Sequence, residues 1–122
     1  VQIPPIKGGI SKDGTAANTL VFMQAWAAVK ADGRFGKLEW TVKADPDCVM
    51  VPARLRDHLR PHNGASVYIQ NCNAFPGAPD WPLMFGAVEA ISRAAVQAYF
   101  GGAVRCRSEL PWQAWGEDYF MP

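Results

Sequence analysis

Apolar and polar residues alternate most regularly along residues 37–43, KLEWTVK, in the first half of the chain. Leu38, Trp40 and Val42 fall on one side of this stretch, and charged or hydroxyl residues fall on the other. A period of two predicts a half-buried strand. A similar alternation and two short apolar runs predict three more strands. The four predicted strands cover residues 37–43, 48–51, 65–72 and 103–109.

Three stretches have the spacing of helices instead. Residues 19–31 are apolar on nearly every side, which is typical of a helix buried on more than one face. Pro52 opens a short helix that Pro61 closes. Residues 80–100 keep apolar positions three and four apart and then meet a pair of glycines, which predicts an amphipathic helix.

This order of elements predicts an α+β fold. We expect a small, largely antiparallel sheet of about four strands with two main helices packed on one face. Proline and glycine residues in positions 1–18 predict an extended N-terminal arm. The single domain then covers residues 19–110, and an aromatic C-terminal tail covers residues 111–122.

Composition narrows the class of protein. The chain has 122 residues, of which 49% are hydrophobic and 19% charged, so a folded domain is expected. A net charge of +1 excludes a strongly basic protein that binds nucleic acid by coating its phosphate backbone. The N-terminal stretch lacks the apolar core of a signal peptide, and no apolar run is long enough to span a membrane. We expect a protein of the cytoplasm, or of a particle assembled inside the cell, rather than a secreted one.

Cysteine and histidine residues are the candidates for a metal site or a catalytic pair. His58 and His62 are four residues apart, but Cys48, Cys72 and Cys106 are too far apart for a compact zinc site. We therefore predict no metal, no cofactor and no assigned catalytic residue. A small enzyme that pairs the Cys72 thiolate with His58 or His62 as its base is one alternative.

A basic segment supports a second alternative, a nucleic-acid-binding module. Arg54, Arg56 and Arg60 are close together in the short predicted helix, and Arg105 and Arg107 share one face of the last predicted strand. Arginine side chains in such patches bind phosphate groups.

The same region resembles a known family of DNA-binding proteins. Residues 49–69, VMVPARLRDHLRPHNGASVYI, resemble the swapped-hairpin family of AbrB and SpoVT type, in which a strand, a proline, a short helix, a glycine turn and a second strand recur. The resemblance implies a dimer that binds DNA through Arg54 and Arg56. The matching positions are Val51, Pro52, Leu55, Arg56, Leu59, Gly64 and Val67.

Apolar residues near both ends support the leading hypothesis, a non-enzymatic structural or assembly subunit, such as a component of a viral particle. Aromatic side chains are costly to leave in water, so they pack on their own domain or on a partner. We expect a homo-oligomer or a larger complex. The predicted contact residues are Ile3, Ile6 and Ile10 in the arm, and Trp112, Trp115, Tyr119 and Phe120 in the tail.

Overall fold

The computed structural model describes residues 3–11, 14–71 and 84–120, without the side chains of residues 118 and 119. It has an α+β fold, as predicted. Within the described residues, no helix is long and apolar enough to cross a membrane. In chain order the elements are β1 Gly9–Ile10, β2 Ala16–Ala17, α1 Thr19–Asp32, β3 Trp40–Ala44, α2 Pro52–Leu59, β4 Val88–Ser92, α3 Arg93–Glu109 and α4 Glu117–Phe120.

The main sheet is built around β4. Strand β3 pairs with it antiparallel, with Trp40 opposite Ser92 and Ala44 opposite Val88. On the other side of β4, an isolated bridge joins Tyr68 to Ile91. A second small sheet consists of β1 and β2. The predicted single sheet of about four strands is therefore replaced by two two-stranded antiparallel sheets and one bridge.

Of two further predicted strands, one is absent and the other is present only as a single bridge. Residues 48–51 form no strand, because Asp45 begins a turn in which its carbonyl accepts a 3.1 Å hydrogen bond from the Cys48 amide. Residues 65–71 pair with β4 at one bridge, where the Ile69 amide donates to the Ala90 carbonyl at 2.9 Å. The predicted position 72 lies outside the described residues.

The largest difference concerns the predicted helix at 80–100 and strand at 103–109. Of this region the structure describes residues from 84 onward, where β4 comes first and α3 then runs to Glu109. The Ser92 hydroxyl caps α3 by accepting a hydrogen bond from the Ala95 amide. Gly101 and Gly102 lie inside α3, although each glycine costs about 1 kcal/mol in a helix interior. Burial of α3 residues against the core offsets this cost.

The core lies between α1, α3 and one face of the main sheet. Trp26, Met84, Ile91 and Val96 are buried together. Aromatic rings extend this cluster along α3, with the centroids of Trp26 and Tyr99 5.8 Å apart. This packing explains why α1 is apolar on so many sides: it contacts both α3 and the C-terminal residues.

Candidate interaction surface

The backbone of β3 has one paired side and one open side. The Asp45 amide donates to the Ala87 carbonyl at 3.0 Å, and the Glu39 carbonyl accepts from Arg93 at 2.9 Å. Since hydrogen bonding alternates along an antiparallel pair, the odd-numbered residues of β3 face β4. The backbone groups of Trp40, Val42 and Ala44 therefore face outward. No backbone partner for these three is found among the described residues.

Strand β4, in contrast, has hydrogen-bonding partners on both of its sides. Its odd-numbered residues pair with β3, while Ala90 and Ser92 exchange hydrogen bonds with Ile69 and Val67. Both sides of β4 are thus occupied, and Ala90, Ile91 and Ser92 are all buried. Among the described residues, β3 therefore presents an open strand edge on its side of β4.

An apolar groove of about 510 Å³ lies between β3 and α2. Its residues come from the strand, from the stretch before α2 and from the helix itself. Leu59 is buried there, while the Leu38 side chain is 58% exposed. At one end the Trp40 indole donates a 2.7 Å hydrogen bond to the Asn63 side chain. The apolar lining consists of Leu38, Trp40, Val42, Met50, Pro52, Leu55 and Leu59.

A second depression, of about 280 Å³, borders the same strand. Val29 and Phe35, from α1 and the turn after it, line this depression. It shares Leu38, Trp40 and Val42 with the groove. The open edge of β3 is therefore flanked by two concave surfaces.

Arginine side chains border the groove. Arg56 and Arg60 both line it, and Arg60 is 2.9 Å from the Asp57 carboxylate. Glu39, the acidic residue of the lining, is 2.7 Å from Arg93. Among the described residues, no carboxylate forms an ion pair with Arg56. The groove thus combines an apolar floor with an excess of positive charge.

The side chain of Lys43, in contrast, points into the molecule toward α1. Its ammonium lies 4.6 Å from the centre of the Phe22 ring. It is 2.9 Å from the Asp45 carboxylate, 3.4 Å from Glu89 and 2.8 Å from Glu117. Burial alone would lower the pKa of Lys43, but hydrogen bonds to Asp45 and Glu117 and the charge of Glu89 raise it well above its usual value.

This ionic cluster fixes the C-terminal tail on its own domain. Glu117 is buried, and its amide donates a 3.0 Å hydrogen bond to the Asn18 side chain. The Thr19 hydroxyl donates to the Trp115 carbonyl at 2.8 Å. Of the predicted contact residues in the tail, Phe120 is buried and Trp112 and Trp115 are partly buried. The side chain of Tyr119 lies outside the described residues.

The N-terminal arm is only partly extended. Gly9 pairs with Ala17 in the β1–β2 hairpin, so the second half of the arm folds back locally. Ile3 and Ile6 are partly buried, whereas Ile10 is 80% exposed. Of the three predicted isoleucine contacts, Ile10 is the exposed one.

The five arginine residues predicted to bind nucleic acid do not lie on a single secondary-structure element. Arg54 and Arg56 are exposed on α2, and Arg60 follows directly after it. Arg105 and Arg107 lie on α3 rather than on a strand. Because residues two apart on a helix do not face the same direction, the predicted common face of this second pair is wrong.

The strand–helix–strand unit implied by the AbrB and SpoVT resemblance is incomplete, because the predicted strand before Pro52 is absent. His58 and His62 are exposed, and Cys48 and Cys106 are free thiols. Cys72 lies outside the described residues. No metal-binding group of three or more His, Cys, Asp or Glu side chains is found in the part of the chain that is described.

Comparison with known proteins finds no match for this chain among protein-family models, curated proteins or solved structures.

Sequence reasoning assigned the apolar face of β3 but missed the groove. Met50, Leu55 and Leu59 complete that groove, and none of them was predicted as a contact residue. The signal for two of them was present, since Leu55 and Leu59 are four residues apart and the other residues from 54 to 60 are all charged or polar. The pairing of β3 with β4, which leaves one edge open, has no signal in the local sequence.

Proposed function

We propose that this protein is a non-enzymatic interaction subunit of a larger assembly, and that the open edge of β3 with its groove is the contact surface. The observation that carries the proposal is the row of outward backbone groups at Trp40, Val42 and Ala44. Edge strands normally carry devices that prevent association, such as proline, outward lysine or a covering loop. These three positions of β3 carry neither proline nor lysine, and the charge that the strand does hold, Lys43, points inward.

Exposed apolar side chains support the same surface. Leu38, Val42, Met50 and Val51 keep between about a third and three-fifths of their area in water. Three of these four residues line the groove. Apolar clusters of this kind are typical of surfaces that bind other proteins.

The proposal moves the contact surface away from the chain ends. Phe120 and Glu117 are buried on the same chain, so the tail serves the stability of the domain. Ile10 remains as an exposed apolar residue of the arm and is a secondary contact candidate.

Photo-cross-linking in the native cell tests the proposal. Benzoylphenylalanine is placed at Leu38, beside the open edge, or at Val104, an exposed apolar residue of α3 that serves as the control. We expect discrete cross-linked products from Leu38 that disappear when Val42→Arg is added to the same chain. No products from Leu38, or the same products from Val104, would contradict the proposal.

A further inference from the structure

We propose that the β3 edge binds an extended acidic and apolar segment of a partner protein, which joins the sheet as an additional strand. This inference rests on the proposed function and names its partner chemistry. The added strand would lie about 4.8 Å from β3 and take up the backbone groups of Trp40, Val42 and Ala44.

The hydrogen bonds of such a strand require no change in β3. Each of the three outward residues offers an amide and a carbonyl, because its neighbours in the chain already satisfy β4. The amide of Leu38 is used by the Phe35 carbonyl at 3.3 Å, which sets the N-terminal limit of the available edge. An added strand of about five to seven residues would cover it.

The two concave surfaces determine which types of side chain the added strand would need. Side chains along a strand alternate between its two faces. One set would enter the groove of about 510 Å³ beside α2, and the other would enter the depression of about 280 Å³ beside Val29 and Phe35. The groove has an apolar floor, whereas the depression also contains the Asp32–Arg34 ion pair. The side chains of the partner segment that enter the groove are therefore the apolar ones.

Charge decides between a foreign segment and a second copy of this chain. Arg56 lines the groove without an ion pair among the described residues, and Arg54 is exposed on the same helix. A second β3 would bring Glu39, which is bound to Arg93, and Lys43, which is held by buried carboxylates. These two residues would therefore supply no spare carboxylate to Arg56. A partner with acidic residues beside its apolar centre matches the surface better.

A peptide-binding experiment with the full chain tests this inference. The probe is a fluorescein-labelled peptide, EDVIVTVED, whose binding is followed by fluorescence anisotropy. Two control peptides separate the contributions: EDVIPTVED removes a central amide, and KKVIVTVKK reverses the flanking charge. We expect each control to bind at least about tenfold more weakly, which corresponds to 1.4 kcal/mol.

Matched protein variants locate the binding site. Val42→Pro removes one outward amide, and Arg56→Glu reverses the charge at the groove. We expect both to weaken binding of EDVIVTVED at least about tenfold. Arg107→Glu, an exposed change on α3, should leave it unaltered. If Val42→Pro does not fold, the proline peptide and Arg56→Glu still report on the same two interactions.

The outcomes distinguish this inference from the function on which it rests. Equal binding of the proline peptide would overturn strand addition, and equal binding of the lysine peptide would overturn the charge argument. A stable dimer that Val42→Pro dissociates would show a second copy to be the occupant. If EDVIVTVED fails to bind while the Leu38 cross-links persist, the inference is wrong and the proposed function stands. If the cross-links also fail, both are wrong.

Discussion

Strand β3 has one side turned to β4 and one side turned away, and the two are built differently. Toward β4, its amides are paired; on the face toward α1, the Lys43 side chain is surrounded by Asp45, Glu89 and Glu117. Away from β4, its backbone groups have no partner among the described residues, and apolar side chains remain exposed. The first side contributes to stability and the second is available for binding. A substitution on β3 should therefore affect one property or the other according to its position.

Removing the charge of Lys43 should have the largest effect on stability. Lys43→Met removes the ammonium that forms ion pairs with the buried Glu89 and Glu117, and breaking a buried ion pair in this way costs about 3–5 kcal/mol. Lys37→Met, an exposed change before β3, should stay within about 0.5 kcal/mol. Urea unfolding measures both. A similar, small loss for the two variants would show that the cluster does not hold the tail.

The same cluster predicts how stability depends on alkaline pH. The pKa of Lys43 is raised in the folded protein, so its stabilising contribution is complete below the unfolded pKa of about 10.4. That contribution is lost as the pH rises from there toward the folded pKa. The difference in unfolding free energy between the parent and Lys43→Met should therefore shrink above about pH 10.4. A difference that stays constant or grows would contradict the assignment.

Two leucine residues at the groove should respond differently to replacement by alanine. Leu59 is buried, so Leu59→Ala should cost about 2–5 kcal/mol. Leu38→Ala, at the exposed end of the same groove, should change stability by less than about 0.5 kcal/mol but weaken binding of the peptide probe. Thermal unfolding and anisotropy measure the two effects. A stability loss at Leu38 equal to that at Leu59 would mean that the groove is core rather than surface.

Proline substitutions at adjacent positions of β3 should affect stability differently, because one position faces β4 and the other faces outward. Thr41→Pro removes an amide that faces β4 and leaves a buried acceptor without its donor, at a cost of about 1–3 kcal/mol. Val42→Pro removes an amide that faces outward, where edge strands tolerate proline. We expect the Val42 variant to be the more stable one by chemical unfolding. The reverse order would invert the assignment of paired and open sides.

The arginine substitutions should affect stability least and test the nucleic-acid alternative. Replacing Arg54, Arg56 and Arg60 with Ala should change stability by about 0.5 kcal/mol or less at each position, because all three are exposed. If the chain binds DNA or RNA through them, affinity should fall steeply with salt and the triple variant should lose it. Unchanged nucleic-acid binding by the triple variant would exclude this site.

The sequence predicted local structure better than long-range pairing. The helix at 19–31 and the short helix after Pro52 were correctly placed, and the strand predicted at 37–43 begins three residues later, at Trp40. These elements could be predicted because a helix-ending glycine, proline and alternation act over a few residues. Residues 93–100 are helical as predicted, but the predictions for residues 88–92 and 103–109 were wrong. The segment VEAIS fits a helix as well as a strand, and pairing with β3 decides between them. The glycine pair was taken as a helix end, whereas core packing carries α3 through it.

The candidate site was harder to predict for a physical reason. Alternation in KLEWTVK shows which side chains share a face, but it does not show which backbone groups lack a partner. That property depends on β4, which lies more than forty residues away in the chain. The tail aromatics illustrate the same limit, since their burial depends on Thr19 and Lys43 at distant positions.

Residue-resolved amide hydrogen exchange by NMR tests the central claim most directly. If one side of β3 is paired and the other is open, the amides of Trp40, Val42 and Ala44 should exchange rapidly, while those of Thr41, Lys43 and Asp45 are protected. Adding EDVIVTVED should then slow exchange in the first set alone. Uniform protection of both sets in the free protein would contradict the open edge, and so would uniformly fast exchange.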